Sequence, residues 1–391
     1  MRFPRFEGEW EEKKLGDVAK FSKGKGISKS DIEEGGTIEC IRYGELYTHY
    51  KEVIIEVKSR TNVDKSNLVF SEANDVIIPS SGETQIDIAT ASCVLNSGVA
   101  LGGDLNIIKT DNNGVFLSYY LNSKKKMEIA NLAQGISVVH LYSSQLASLK
   151  MNFPCLAEQD KIASFLSLLN ERIQTQNKII DSLETLIKGL SEKLFAPKIR
   201  FKDEQENDFA DWLENFGDSL FESISNKNHN SDLPILAITQ EHGAIPRDMI
   251  DYNVSVSDKS IESYKVVQKG DFIISLRSFQ GGIEFSNYEG ICSPAYIVLR
   301  PIKEVNRNFF RLYFKTTGYI KRLIKNLEGI RDGKMISFKY FSEVTIPTPS
   351  IEEQKKITNF LLSIERKIET ERKVLAQYEN QKSYLLQHMF I

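Results

Sequence analysis

Cysteine is scarce and scattered in this 391-residue chain: Cys40, Cys93, Cys155 and Cys292 form no CxxC pair, and the five histidines fall in no ligand-spaced cluster. A structural zinc site and a disulfide framework are therefore not expected, and reduced, mostly buried thiols are. No run of about eighteen apolar residues occurs, so no membrane span is expected. The opening "MRFPRFEGEWEEKKL" is charged from its start and lacks an apolar signal stretch, which leaves a cytoplasmic address. An excess of one charge is missing too. Fifty basic against 53 acidic residues give a net charge of −3, unlike a generic polyanion binder. Basic residues are instead gathered locally, in "KFSKGKGISK" from Lys20, in "SKKKM", and in "GIRDGKMISFK" with Arg331, Lys334 and Lys339. Taken singly, such runs usually mark a solvated face.

Catalytic signatures are also lacking. "SPAY" at Ser293–Tyr296 is similar to the tetrapeptide of amino-group methyltransferases, but its second proline is missing and no glycine-rich cofactor loop accompanies it. "KGKGISKS" has neither the third glycine of a dinucleotide loop nor the GKS or GKT of a P-loop, and reads as a flexible basic turn. Glu56-Val57-Lys58 is half of a nuclease signature without a placed aspartate. No G-x-S-x-G, HExxH or Cys–His arrangement is found. The expectation is a chain with no catalytic residue and no metal ligand.

What is present is a repeat. "AEQDKIASFLSLLNERIQTQNKI" from Ala157 and "EEQKKITNFLLSIERKIETERKV" from Glu352 align without a gap at an offset of 195, from Glu158–Glu353 through Phe195–Phe390. Twelve of the 38 positions are identical, too many for chance between two charged helices. Apolar residues alternate by fours and threes: Ile162, Leu166, Leu169, Ile173, Ile180, Leu183, Ile187, Leu190 and Leu194. The second copy follows with Ile357, Leu361, Ile364, Ile368, Leu375, Tyr378, Leu385 and Met389. This is a heptad seam. It is broken by a polar residue at the same place in each copy, Gln176 and Glu371, either as a register-setting device or because the helix faces solvent there. Pro154 and Pro349 precede the helices, Ser350 with Glu353 has capping-box spacing, and Pro197 closes the first helix.

Between the helices lie short Val-, Ile-, Phe- and Tyr-rich runs punctuated by Gly, Asn, Asp and Ser, which read as strands and turns. "NDVIIPSSGE" answers "GDFIISLRSFQGG", with Asp75 and Asp271 as counterparts. Trp10 answers Trp212, with Gly16-Asp17 and Gly217-Asp218 beside them. Loop lengths differ between these parts while the helices keep register. The expected fold class is α/β (α+β), in four segments: a mixed domain 1–153, a helix 154–197, a second mixed domain 198–348 and a helix 349–391.

The helix motif stands as Pro154-Cys-Leu-Ala-Glu158-Gln159 and Pro349-Ser-Ile-Glu-Glu353-Gln354, and an F-P-x-F-x-G-x-W opening stands as Phe3, Pro4, Phe6, Gly8 and Trp10. With these motifs the chain resembles, over nearly its whole length, the DNA-specificity subunit of Type I restriction–modification enzymes. The resemblance implies two target-recognition domains, each reading half of a split target in double-stranded DNA. It implies conserved helices packed as an antiparallel coiled coil in a pseudo-two-fold internal repeat. The helices would set the spacer and dock two modification subunits. Those subunits bind S-adenosylmethionine and methylate adenine N6. Restriction subunits use ATP and Mg for translocation and cleavage, so this chain would bind no cofactor and act as the non-catalytic subunit.

Base edges in the major groove need forked donors and acceptors. In the first domain that chemistry points to Lys23, Lys25, Arg42, Tyr43, Ser80, Ser81, Gln134, Ser137 and His140. In the second it points to Gln240, His242, Arg277, Ser278, Gln280, Arg331 and Lys334. Some of these would touch only phosphates. Two readings of other classes remain at this level, a coiled-coil scaffold without nucleic acid and a DNA methyltransferase, the latter disfavoured by the missing motifs.

Overall fold

The β-branched run at Asp75–Pro79 is buried at every position, as expected for a strand covered on both faces. It lies in the middle of a five-stranded sheet whose order is Ala19–Lys23, Leu105–Thr110, Asp75–Pro79, Ser92–Val94, Val53–Ile54. Alternate residues point to opposite faces. Ile77 and Ile107 join one apolar cluster with Ile41, Leu46 and Leu101. Their neighbours Val76, Ile78 and Ile108 join another with Phe116 and Tyr120. The computed structural model describes residues 1–135, 138–229, 232–250, 261–325 and 336–390. These form two compact units, Met1–Lys178 with Lys373–Ile391, and Ile179–Arg372.

The second unit repeats the plan with a four-stranded sheet in the order Phe221–Ile224, Ile297–Pro301, Phe272–Ile274, Glu284–Phe285. Phe272, Ile274 and Leu299 face a phenylalanine-rich cluster, while Ile273 and Val298 face a smaller one with Leu236 and Cys292. The paired aspartates open the central strands for one reason. Asp75 accepts the Glu72 amide, and Asp271 the Gln268 amide, each at 2.8 Å. Asp271 is further clasped by Arg300 at 2.9 and 2.7 Å. Lys109, one residue-pair equivalent in the neighbouring strand, stands 3.9 Å from Asp75.

The long helices run Leu156–Phe195 and Ile351–Met389, within two residues of the sequence boundaries. Compactness divides the chain differently from the four segments, because each unit holds one globular part, the beginning of one helix and the end of the other. In the second unit Arg372 donates to Glu184 at 2.5 Å, while Ile187, Leu190 and Leu194 pack in one cluster with Leu361 and Ile357. Numbers rise along one segment as they fall along the other, so the segments are antiparallel. In the first unit Ile162, Leu166, Leu169 and Ile173 share a cluster with Leu375, Tyr378, Leu385 and Met389. Of the two polar breaks, Gln176 is buried and Glu371 half-buried, the latter paired with Lys367 one turn earlier.

Each helix start is latched to its globular part. Glu158 is fully buried, and Arg2 donates to both its oxygens at 2.7 Å. Glu353, equally buried, accepts from Arg200 at 3.0 and 2.9 Å and from the Trp212 indole at 3.0 Å. The capping box expected at Ser350 is thus only half made. Ser350 Oγ accepts the Glu353 amide at 3.3 Å, but the carboxylate is turned toward Arg200. The following glutamines share two bonds, and Gln159 adds a third to the Asn112 side chain at 2.9 Å. Gln159 accepts the Asn113 amide at 3.0 Å and donates to the Pro154 carbonyl at 2.9 Å. Gln354 accepts the Asn306 amide and donates to the Pro349 carbonyl, both at 2.9 Å. Asn113 and Asn306 in turn cap the helices Gly114–Asn122 and Arg307–Tyr313. Closing the domain, Glu11–Lys14 pairs antiparallel with Lys150–Phe153, and Leu213–Phe216 with Thr345–Thr348. At the far helix ends Phe390 stacks on Tyr120 with centroids 5.1 Å apart, and Phe195 meets Phe309 at 5.1 Å.

Removing one partner of a buried ion pair leaves a desolvated charge. Arg200→Ala is therefore expected to destabilise the second unit by roughly 3 kcal/mol, read as a lower denaturation midpoint. Replacing Glu353 by Met in the same chain should recover part of that loss, because no charge is then left buried.

Candidate nucleic-acid interface

The second unit carries a cleft of about 710 Å³ walled by Leu236–Glu241, Arg247, Ile250, Ser275–Arg277, Glu284 and Tyr296. Its parts are fixed by backbone chemistry. Arg277 precedes the short helix Ser278–Gly281, and its carbonyl accepts the amides of Gln280 at 2.9 Å and Gly281 at 3.1 Å. The Gln240 side chain reaches the same carbonyl at 3.4 Å. A Cβ on Gly281 would lie 2.5 Å from Gln240 Nε2, so only glycine lets the amide lie over this turn. Tyr296 is held from behind by Lys265, whose ammonium donates to its carbonyl at 2.6 Å. Burial pushes the Tyr296 phenol above its ordinary value, and the positive charges of Arg247 and Arg277 pull it back. Of the two acids of the wall, Glu284 is buried and held by Lys315 at 2.5 Å, while Glu241 is exposed with the His242 ring 3.8 Å away.

In the first unit a cleft of about 550 Å³ is lined by residues including Ser28, Lys29, Arg42, Tyr43 and Asp104. The turn expected to be a loose basic loop is closely bonded. Lys25 donates its amide to Leu101 at 2.9 Å, and Gly103 donates to Gly26 at 2.9 Å. Gly24 approaches Gly102 so closely that a Cβ would lie 2.0 Å from the carbonyl oxygen. Ile27 takes φ +59°, strained for a β-branched residue, and is held there by packing with Cys40, Leu68 and Ala100. The bonds from Ser28 hold the Asp31 carboxyl below the usual range. Arg42 donates its amide to the buried Glu45 at 2.8 Å, its guanidinium stands 3.6 Å from the same carboxylate, and Arg42 Nε is buried without a partner among the described residues.

The sequence candidates separate by position. Lys23, Lys25, Gln134, His140, Gln240, His242, Arg277 and Gln280 are exposed, and Arg42 and Tyr43 are half-buried at their cleft. Gln134 and His140 exchange backbone bonds at 2.9 and 2.7 Å across a narrow turn, and His140 stacks with Tyr142. Ser80, Ser81 and Ser278 are buried, at 6%, 8% and 1% exposure. Ser81 belongs to the strand Ser81–Gly82 opposite His140, and Ser80 bonds through its backbone to Asp104 and Leu141. The Ser278 hydroxyl accepts the Ser275 amide at 2.8 Å. These serines build the turns rather than face solvent. Ser137, Arg331 and Lys334 lie outside the described residues. Arg42 with Tyr43, and Gln240 with Arg277, are each brought to a common cleft. Sequence reasoning noted Lys29 only within the basic run from Lys20 and Tyr296 only within the rejected "SPAY" motif, and passed over Asp104 and Arg247, since a lone residue outside a motif carries no signal. Among the described residues no group of three or more His, Cys, Asp or Glu could hold a metal ion, and no helix is long and apolar enough to cross a membrane.

Two copies of one α/β plan, each latched to a long helix and each carrying a differently lined cleft, define a paired-reader protein. The family described as Type I restriction modification DNA specificity domain matches residues 7–185 and 207–380, and the chain belongs to that family. The Type I restriction enzyme MjaVIII specificity subunit of Methanocaldococcus jannaschii is 24% identical over 405 aligned positions, covering 98% of this chain and 92% of the relative. A crystal structure of the S subunit of a Type I restriction–modification system from M. genitalium shares the fold with a TM-score of 0.60 at 18% identity, covering 100% of this chain and 97% of the other. A second structure, from work on assembly and conformational transition of the type I R-M system, superposes with a TM-score of 0.57 at 18% identity, covering 98% and 97%.

Lys29, exposed at the mouth of the first cleft, has the character of a phosphate contact. Lys29→Ala is expected to weaken binding about equally on all DNA sequences and to reduce the salt slope of log K by about 1. Titrations at several salt concentrations read both quantities.

Proposed function

We propose that this chain is the sequence-specific subunit of a Type I restriction–modification complex. Each compact unit reads one half of a bipartite target in double-stranded DNA. The observation that carries this is the doubling itself: one frame, closed by the same buried Glu–Arg and Gln–Asn bonds, presents two clefts of different chemistry. Phosphate contacts fix register, and side chains in the clefts discriminate bases.

The remaining functions fall to partners. Two modification subunits, carrying S-adenosylmethionine, dock on the long helices and methylate adenine. Restriction subunits, using ATP and Mg, translocate and cleave. The chain is non-catalytic, binds no cofactor itself and works in the cytoplasm. The lining of each cleft supports a binding role: Lys29, Arg42 and Tyr43 in the first, and Gln240, Arg247 and Arg277 in the second, are hydrogen-bond donors suited to phosphates and base edges.

Mapping methylated adenines in the genome of a host that makes this chain with its modification subunits tests the reading. One split sequence, methylated in both halves, is expected. Methylation independent of sequence, or methyl transfer by the pure chain alone, would overturn it.

Helix length should set the number of unread base pairs. Four residues inserted between Gly189 and Pro197 add about one turn, ~6 Å, so the preferred spacer should grow by roughly one or two base pairs at ~3.4 Å each. Methylation of targets with graded spacers measures the shift, with both half-sites expected to stay the same.

A further inference from the structure

Arg247 is the one cationic group of the second cleft that no motif announces. It follows Pro246, whose fixed φ and burial anchor the hairpin Leu236–Thr239 with Gly243–Pro246. Its amide donates to the Ile235 carbonyl at 3.0 Å, and it starts the turn Arg247–Met249. The side chain is half-buried beside Ile250, in the same wall as Leu236 and Tyr296. Among the described residues Arg247 makes no ion pair, and of the acids lining the cleft Glu284 is taken by Lys315. Arg247 and Arg277 line one cleft with Tyr296, each from a different loop.

Two arginines over one cleft divide naturally by mobility. Arg277 is exposed on a turn tip, suited to a phosphate or to a base edge. Arg247 rises from a backbone pinned by proline and leans on apolar neighbours, so fewer rotamers must be frozen when it meets a planar acceptor. A forked donor held in a fixed direction matches the O6 and N7 acceptors of guanine.

Resting on the DNA-reading function proposed above, we propose that Arg247 is a specificity-determining residue of the second half-site, reading one guanine bidentately.

The test uses the full chain assembled with its modification subunits, and a target library randomised in both half-sites. Arg247→Lys keeps the charge but loses the fork. The result expected is a loss of guanine preference at one position of one half-site, about five- to 150-fold, with the other half-site unchanged. Arg247→Ala should lose the same preference, and unaltered selectivity in the other half-site shows that the complex is intact. Wild-type base preference in Arg247→Lys, with only a uniform weakening in Arg247→Ala, would make Arg247 a phosphate contact and overturn the inference. A wild-type complex that selects no bipartite sequence would instead overturn the DNA-reading function itself.

Discussion

A carboxylate without water must find a cation, and two such carboxylates organise this protein. Glu158 and Glu353 begin the long helices and are fully buried. An exposed surface pair is worth little, but a desolvated one left unpaired is costly. Each is answered by an arginine from the arm that precedes its own globular part, Arg2 or Arg200. The bond therefore joins the beginning of a domain to the helix that follows its end. The neighbouring glutamine adds a third segment, the asparagine-capped helix behind the sheet. The copies are not identical: Trp212 donates to Glu353, whereas Trp10 Nε1 has no partner among the described residues.

With the frame held at the helix side, the opposite edge of each sheet is free to differ. The first unit there bends a basic turn through Gly24, Gly26 and the strained Ile27 toward Arg42. The second extends a hairpin and a short helix toward Arg247 and Arg277. Several acids near the clefts are taken in internal pairs, Glu45–Arg42, Glu284–Lys315 and Asp271–Arg300.

The helices were legible because a heptad pattern and a gapless repeat constrain every third or fourth residue. Ile162, Leu166, Ile357 and Leu361 stand where periodicity put them. The strand aspartates were legible as counterparts but not in their role, since each bonds to an amide three positions upstream in a turn. Glu353 was misread as a cap, because its arginine lies 153 residues away and spacing sees only neighbours. Ser80, Ser81 and Ser278 looked like solvent-facing hydroxyls because Ser-rich stretches after strands usually are. Their burial depends on segments far along the chain, Leu141 and Asp104 among them. Arg247 was invisible for the same reason: what distinguishes it is which loops it meets.

The stacking of Phe390 on Tyr120 bears on the order in which the nascent chain matures. Residues 373–390 complete the apolar cluster around Phe116 and Tyr120, yet they are translated only after the whole of Ile179–Arg372. Domains ordinarily fold in the order of synthesis. Here the part made first leaves the ribosome with an aromatic face uncovered and waits for its final segment, while the part made second is contiguous and can close on itself at once. Maturation of the first unit is thereby gated by translation of the second.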